Sequence, residues 1–328
     1  MKEKKSFEKP IRMGILMDPI QTINPLKDTS LAFMLEAQAR GWQVLYMEMA
    51  DICLRNGRAE GRVRLVKVFD DHNHWFEIEK TETVPLGELD FILMRKDPPF
   101  DIEFIMATYI LERAELEGAK VINRPQSLRD VNEKVFTAWF PQCCPPSLLS
   151  RSKNDIISFL EIHQKIVLKP TCKMGGQSIF VVQKGDPNSN VIIEELSCRG
   201  TQYIQAQAYI SDIKNTGDKR IILINGVPIE NGIARIPGED DHRGNLAVGA
   251  TAEGFSLSKN DRWICEQIGP TLKKKGLVFV GIDVIGNYLT EINVTSPTGI
   301  REINKLFHIN IASIFMDELT KMLPSKEV

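Results

Sequence analysis

The sequence lacks the common signatures of nucleotide-binding and metal-dependent enzymes. It contains no GxxxxGK(S/T), GxGxxG, HExxH or GxSxG motif, which excludes a Walker loop, a Rossmann fingerprint, a zincin helix and a nucleophile elbow. The five histidines form no i, i+4 pair, and His72 and His74 flank a polar turn, so a histidine-rich metal site is not expected. A nucleotide enzyme with this sequence would bind phosphates through a different structural motif.

Long apolar runs, spaced cysteine pairs and a large net charge are also missing. No apolar stretch approaches the roughly 18 residues of a membrane-spanning helix, and residues 1–10 lack the apolar segment of a secretory signal. The formal net charge of -2 argues against a broad nucleic-acid-binding surface. We therefore expect a cytoplasmic protein without membrane or nucleic-acid partners. The cysteines, expected to be reduced thiols because their spacing suits neither disulfides nor a zinc knuckle, are Cys53, Cys143, Cys144, Cys172, Cys198 and Cys265.

The first third of the chain alternates apolar segments with amphipathic ones. Such alternation predicts a parallel sheet covered by helices. Gly41, directly after one amphipathic segment, is a helix-ending signal. Residues 55–90 are rich in charge and are expected to form an excursion, such as a hairpin. The predicted strands are 11–18, 42–49, 91–96 and 120–123, and the predicted helices are 30–41 and 101–118.

A boundary at 123–134 separates this α/β part from two α+β parts. Asn225-Gly226 is a strong turn signal and predicts a hairpin over 219–229. We expect three domains, at 1–124, 125–207 and 208–328. The second is predicted to contain helices 134–140 and 152–163 and strands 165–170, 178–183 and 202–210; the third, a helix near 258–275, strands within 277–294 and a terminal helix from about 308.

An acidic hairpin near the carboxyl end is a candidate metal site. Glu291 and Asn293 flank one apolar residue and would share a face of a strand, while Asp283 lies in the strand before the turn at Gly286-Asn287. A two-residue loop would point Glu291 away from Asp283, whereas a three-residue loop or one bulge would pair them directly. Two facing carboxylates repel unless a cation lies between them, and oxygen ligands select Mg²⁺ or Mn²⁺. Exposed polar positions on an ordinary hairpin are the alternative.

Basic residues and glycines mark a candidate phosphate site. Lys169 ends an apolar strand and is followed by Gly175-Gly176, whose backbone N–H groups can approach an anion. The alternative is a hairpin whose glycines only make the turn.

Three arginines follow in the last third. Arg220 and Arg235 flank a hairpin and could meet on one side of it, and their forks match carboxylate or phosphate geometry. Arg243 lies in 236–245, a polar stretch without periodicity that is typical of a mobile lid. Solvated arginines and an ordinary loop are the alternative.

Several strings of this sequence resemble the ATP-grasp superfamily and, within it, the bacterial glutathione synthetases. The resemblance extends from about residue 11 to about residue 320. It implies a ligase that joins γ-glutamylcysteine to glycine with ATP and Mg²⁺, and a homotetramer. It also implies an N-terminal parallel α/β domain, a small central lid domain and a C-terminal antiparallel-sheet domain, with ATP between the last two. The strings are MDPI, LMRKDPPFD, YILERAE, RPQSLRDVNEK, ARIP, RGNLAVG, GIDVIG and TEINVTSPTGIREI.

The resemblance also implies roles for individual residues. Asp283, Glu291 and Asn293 match the metal ligands. Arg243 belongs to the closing loop. Phosphates would be met by Lys134, Lys169, Gly175, Gly176 and Ser178, adenine by Gln207, Ala208, Tyr209 and Ile210, and the peptide by Asp218, Arg220 and Arg235, with Arg235, Arg220 and Lys169 as the catalytic groups.

Ser296-Pro297 predicts a helix start with proline at the first helical position. The N–H groups of Thr298 and Gly299 would then receive the carboxylate of glycine, with Ser296 at the same site.

Two segments depart from the family pattern. Lys173 stands where the family often has glycine, after the unusual Thr171-Cys172, and GEDDH in the predicted lid is more acidic than expected. Two alternatives stay open: another ATP-grasp carboxylate–amine ligase, of the D-alanyl-D-alanine or glutamate-adding type, and a non-catalytic ATP-binding protein. The N-terminal strings weigh against the first, and the retained metal positions and arginines weigh against the second.

Overall fold

The computed structural model describes residues 9–173, 176–236 and 251–324, whose strands form three sheets. None of the helices in these ranges is both long and apolar enough to cross a bilayer.

The first sheet is built around the predicted parallel strands. Its order is β3-β4-β2-β1-β6-β7, with β5 also paired to β4; β1, β2, β6 and β7 are parallel, and β3, β4 and β5 pair antiparallel. The predicted strands and helices are confirmed, and the excursion contains the β4–β5 hairpin. Their bounds are β1 Arg12–Leu16, α1 Thr29–Ala39, β2 Gln43–Met47, β3 Ile52–Arg55, β4 Arg58–Val68, β5 Phe76–Pro85, β6 Phe91–Met94, α2 Ile102–Leu116 and β7 Lys120–Ile122.

Helix caps and burial explain these elements. Asp28 caps α1 by accepting a hydrogen bond from the N–H of Leu31, and Asp101 caps α2 in the same way. The parallel strands β1 and β6 are apolar and almost wholly buried, as strands covered on both faces must be. Asp18 and Asp97 follow these two strands at their carboxyl ends, where open parallel sheets bind ligands.

The second sheet is small and antiparallel, in the order β10-β9-β11-β8. It is preceded by a short helix that the sequence did not predict, α3, within the expected boundary segment. The predicted helix over 134–140 is wrong in type, since Val135–Trp139 forms a 3-10 helix before Pro141. The bounds are α3 Pro125–Asp130, β8 Ser147–Ser150, α4 Lys153–His163, β9 Lys165–Pro170, β10 Phe180–Gln183, α5 Ser189–Leu196 and β11 Ile204–Ala208.

The third sheet is also antiparallel, in the order β15-β14-β12-β16-β17 with β13 paired to β12. Asn225 and Gly226 both have positive φ at the predicted turn, which confirms the hairpin. The predicted terminal helix is preceded by another helix. The bounds are α6 Ile213–Thr216, β12 Asp218–Ile224, β13 Val227–Pro228, β14 Asn231–Ile236, β15 Thr251–Ser256, α7 Lys259–Lys274, β16 Phe279–Ile285, β17 Tyr288–Asn293, α8 Ile300–Phe307 and α9 Ile311–Thr320.

Asn123 joins the first and third sheets. Its buried carboxamide donates to the carbonyl oxygens of Phe279 and Val294 at 2.8 and 2.7 Å and accepts from the N–H of Phe279 at 2.9 Å. Both N–H donors and the carbonyl oxygen of this buried side chain are used between the two sheets, which fixes β16 and β17 against the first sheet.

Candidate active site

A cleft of about 500 Å³ lies between the second and third sheets. Residues of the first sheet's carboxyl edge, Asp97 and Pro98, also reach it. It is lined from the second sheet by Val167, Lys169, Val181, Gln207 and Ala208, and from the third by Asp218, Arg220, Arg235, Asp283, Ile285, Thr290, Glu291 and Asn293.

The acidic hairpin has the register that brings its carboxylates together. A two-residue turn pairs Ile285 with Tyr288, and a bulge after Asp283 then places Asp283 opposite Glu291. Thr290 is the extra residue, and its hydroxyl donates to the carbonyl oxygen of Asp283 at 3.0 Å. The bulge, one of the two possibilities that the sequence left open, therefore puts both carboxylates on one face of the sheet.

Asp283 is the centre of a buried ion network. Arg220 donates from Nε and Nη2 to its two oxygens at 2.6 and 3.1 Å. Arg235 reaches Oδ2 of Asp283 at 3.0 Å and also pairs with Asp218. Asn293 donates from Nδ2 to the same Oδ2 at 3.2 Å. The two arginines that were predicted to meet on one side of the hairpin do meet, at one carboxylate.

This network shifts the pKa values of its two aspartates in opposite directions. Burial opposes ionisation of Asp283, but the guanidinium groups of Arg220 and Arg235 outweigh it and hold the pKa of that carboxyl well below its usual range. Burial raises the pKa of Asp218, and the charges of Asp283 and Glu291 raise it further, against the opposing effect of Arg235. Oδ1 of Asp218 is buried and has no hydrogen-bond partner among the described residues.

Glu291 lies close to two lysines, of which Lys169, on the second sheet, also lines the cleft. The Nζ atoms of Lys134 and Lys169 each lie 3.8 Å from its Oε1. Both lysines are nearly buried, at 3% and 6% exposure, and each makes a further contact, Lys134 with the carbonyl oxygen of Lys173 at 2.9 Å and Lys169 with Oε1 of Gln207 at 3.2 Å. Two cations are thus held close to the acidic hairpin.

The predicted phosphate loop is only partly described. Gly176 lines the cleft and has a φ of 75°, which favours glycine. Ser178 does not line it, and its hydroxyl accepts from Nζ of the atypical Lys173 at 3.0 Å. Gly175 lies outside the described residues.

The predicted adenine segment lines the cleft from Gln207 to Ile210. The N–H groups of Ala208 and Tyr209 donate to the carbonyl oxygens of Pro146 and Lys165 at 2.9 and 3.0 Å. Nε2 of Gln207 is buried and has no hydrogen-bond partner in the described parts of the chain. A buried donor at this position is suited to a polar ligand.

The predicted helix start at Ser296-Pro297 is wrong. Helix α8 begins at Ile300 with Gly299, φ 115°, as its N-cap residue. The carbonyl oxygens of Pro297 and Thr298 instead accept from the guanidinium groups of Arg95 and Arg220, at 3.0 and 3.1 Å. Ser296 and Thr298 still line the cleft, but Gly299 does not.

Glu133 and Thr295, which were not predicted from the sequence, also line the cleft. The hydroxyl of Thr295 donates to Oε1 of Glu133 at 2.9 Å, and the N–H of Ile292 donates to the Glu133 backbone carbonyl at 2.9 Å. Two signals could have identified them: Glu133 directly precedes Lys134, and Thr295 continues the alternation of Glu291 and Asn293. Arg243 and nearly all of the predicted lid lie outside the described residues, so their roles stay predictions.

The donor set suits a hard divalent cation. Two carboxylates stand directly opposite each other, with a carboxamide two residues along on the same face, and oxygen donors of this kind bind Mg²⁺ or Mn²⁺ together with phosphate. Arg220, Arg235 and the two lysines balance the charge of the carboxylates. Asp283, Glu291 and Asn293 therefore fit a metal that arrives with a nucleotide.

Two family models match this chain. The prokaryotic glutathione synthetase N-terminal domain matches residues 11–129, and the prokaryotic glutathione synthetase ATP-grasp domain matches residues 133–308. Curated relatives include glutathione synthetases from Pseudomonas putida, 53% identical over 96% of this chain and 99% of the relative, and from Escherichia coli, 53% identical over 95% and 99%.

Solved structures share the fold at low sequence identity. The D-cycloserine synthetase DcsG superposes with a TM-score of 0.68 at 14% identity, covering 95% of this chain and all of that one. D-alanyl-alanine synthetase A from Vibrio cholerae superposes with a TM-score of 0.57 at 11% identity, covering 95% and 98%.

Proposed function

The chain belongs to the prokaryotic glutathione synthetase family, and from this membership we propose how its cleft carries out the reaction. The fold is an ATP-grasp fold, and the protein is an ATP-dependent carboxylate–amine ligase that synthesises glutathione from small-molecule substrates. ATP-grasp ligases in general use ATP and a divalent metal. The proposal concerns the residues, the metal and the intermediate.

We assign the metal to the acidic hairpin. Asp283, Glu291 and Asn293 would hold Mg²⁺, or Mn²⁺ in its place, which supplies neutralisation of phosphate charge when bound. The support is their shared face and the presence of Lys134 and Lys169 close to Glu291. When phosphates enter, the lysines would exchange Glu291 for phosphate oxygens. Gly175, Gly176 and Ser178 would form the loop over those phosphates, and Gln207–Ile210 the adenine site.

The arginines would hold the reacting carboxylate. A terminal carboxylate oxygen of γ-glutamylcysteine attacks the γ-phosphorus of ATP, the bond from phosphorus to the bridging oxygen breaks, and ADP leaves. The amine of glycine then attacks the acyl phosphate, loses a proton, and phosphate departs with that carboxylate oxygen. Arg235 and Arg220, with Asp218 beside them, would orient the carboxylate and stabilise the tetrahedral oxyanion, so catalysis is positioning and charge neutralisation.

Glycine would bind where the third sheet meets α8. Ser296 and Thr298 line the cleft there. Gly299, the N-cap residue of α8, follows them and does not line the cleft. Residues 236–245, with Arg243, would close over the acyl phosphate and exclude water.

The observation that carries the proposal is the pairing of Asp283 with Glu291, set by the bulge, with the Nζ atoms of two buried lysines 3.8 Å from Glu291. The test supplies γ-glutamylcysteine labelled with ¹⁸O in its terminal carboxylate, together with glycine, ATP and Mg²⁺. We expect glutathione, ADP and phosphate carrying one ¹⁸O atom. Product without label in phosphate would contradict the acyl phosphate. Turnover only with D-alanine as acceptor would favour another ATP-grasp carboxylate–amine ligase. No turnover with any acceptor would favour a non-catalytic ATP-binding protein.

We further propose a cytoplasmic homotetramer. Ile102, Met106, Tyr109 and Leu116 form an exposed apolar stripe on α2, each 46–71% exposed, and such stripes support association between copies. Light scattering of the purified chain tests this; a monomer at micromolar concentration would contradict it.

A further inference from the structure

Glu133 is a buried carboxylate in the cleft that the reaction scheme does not use. It is 5% exposed and lines the cleft. Its Oε1 accepts from the Thr295 hydroxyl at 2.9 Å, whereas Oε2 is buried with no hydrogen-bond partner among the residues that the structure describes. A buried carboxylate oxygen without a donor costs free energy, so this atom is arranged for a group that arrives with a ligand.

Glu133 lies beside the acidic hairpin, so the group that binds it must lie on that side of the cleft. Thr295 follows Glu291 and Asn293 with the same two-residue spacing, and all three line the cleft. The backbone carbonyl of Glu133 is fixed by the N–H of Ile292, between two of the proposed metal ligands. Thr295 orients the side chain of Glu133, and the backbone bond fixes its distance from the hairpin.

The charges around Glu133 also favour a cation beside the acidic hairpin. Burial raises the pKa of Glu133 to about 7, and the charge of Glu291 contributes to this rise, while Lys134 opposes it. A divalent cation beside Glu291 would reverse the effect of that neighbour and favour the ionised, hydrogen-bond-accepting form. Mg²⁺ in nucleotide sites keeps several water ligands, which are strong donors.

We propose that Oε2 of Glu133 accepts a hydrogen bond from a water ligand of the divalent ion that Glu291 and Asn293 hold, so that Glu133 is a positioning residue that sets the affinity for the metal. The inference rests on the proposed metal site. Partners of this kind typically change metal affinity about 10–100-fold when removed. The same carboxylate could instead accept the proton of the attacking amine. The experiment below distinguishes this role from an effect on metal affinity.

The informative substitution is Glu133→Gln. Its carbonyl oxygen keeps the bond to Thr295, and an N–H donor replaces Oε2 and points at the water. Binding of Mn²⁺ to the full chain with saturating ADP is followed by the EPR signal of free Mn²⁺. We expect the dissociation constant for Mn²⁺ to rise about 10–100-fold, with ADP binding in the absence of metal unchanged within about twofold. Glu115→Gln, a partly buried carboxyl on α2, is the matched control and should bind Mn²⁺ like the wild type.

Glu291→Gln separates failure of the inference from failure of the metal site. If Glu291→Gln weakens Mn²⁺ binding and Glu133→Gln does not, the inference is overturned and the site stands. If the wild type binds no stoichiometric Mn²⁺ with ADP, or Glu291→Gln binds it normally, the metal site itself is wrong. A shifted pH–rate profile of Glu133→Gln with normal Mn²⁺ affinity would overturn the inference in favour of proton acceptance. Thr295→Val, which releases the orientation of Glu133, provides a second variant if Glu133→Gln does not fold, and it should weaken Mn²⁺ binding in the same direction.

Discussion

Asp283 lies directly opposite Glu291 on the neighbouring strand, and a single bulge at Thr290 produces this pairing. Without the bulge, the two-residue turn would place Asp283 opposite Thr290 and point Glu291 to the other face. One inserted residue thus decides whether the two carboxylates share a face of the sheet.

Glu291→Gln should reduce kcat/KM for glutathione formation about 10³-fold or more, because a bound metal supplies several kcal/mol of transition-state stabilisation and each 1.36 kcal/mol is tenfold in rate. The far-UV circular dichroism should be unchanged. Glu253→Gln, an exposed carboxyl on the same sheet, is the control and should retain activity. Wild-type turnover by Glu291→Gln would reject its role.

Arg235→Lys should lower kcat about 10²–10³-fold while the KM for ATP changes only a few-fold. The reason is that Lys keeps the charge beside Asp218 and Asp283 but loses the fork that holds the reacting carboxylate and its oxyanion. Arg262→Lys, at a surface pair with Glu230, should leave steady-state kinetics unaltered. A selective loss of ATP affinity in Arg235→Lys would count against the assignment.

Lys169→Met should weaken ATP binding about 10–100-fold, since a hydrogen bond to a charged group contributes about 1.5–3 kcal/mol and methionine keeps the apolar stem. Isothermal titration with a non-hydrolysable ATP analogue measures it. Lys153→Met, on α4 at a partly exposed pair with Glu194, should bind the analogue normally. Equal affinities of wild type and Lys169→Met would show that this lysine pairs only with Glu291.

The stability of the chain without metal and nucleotide should depend on pH through Glu133. Its pKa is raised from 4.5 to about 7 on folding, so its stabilising contribution is complete below about pH 4.5 and is lost as pH rises through 7. Between these values the free energy of unfolding of the wild type should fall relative to that of Glu133→Gln, by at most about 1.4 kcal/mol per pH unit. Urea titrations from pH 5 to 8 measure the difference; a constant difference would contradict the raised pKa.

Sequence patterns predicted the elements whose causes are local. The alternation of strands and helices, the turn at Asn225-Gly226 and the helix ends follow from spacing and cap residues, and the structure has them.

Two errors at the cleft lie where distant contacts decide the conformation. Ser296-Pro297 has the local pattern of a helix start, but Arg95 and Arg220 hold the carbonyl groups of Pro297 and Thr298 outside a helix. Glu133 directly precedes Lys134, but it was missed because its place in the cleft depends on Thr295, 162 residues away, which binds only one of its oxygens.

The central claim is that Asp283, Glu291 and Asn293 hold a divalent ion against the phosphates of the nucleotide. Anomalous diffraction at the manganese edge, from crystals grown with Mn²⁺ and ADP, locates the ion directly. We expect a peak about 2.0–2.3 Å from oxygens of all three side chains and of the diphosphate. A peak on the phosphates but more than about 4 Å from these side chains, or a peak elsewhere on the chain, would contradict the account.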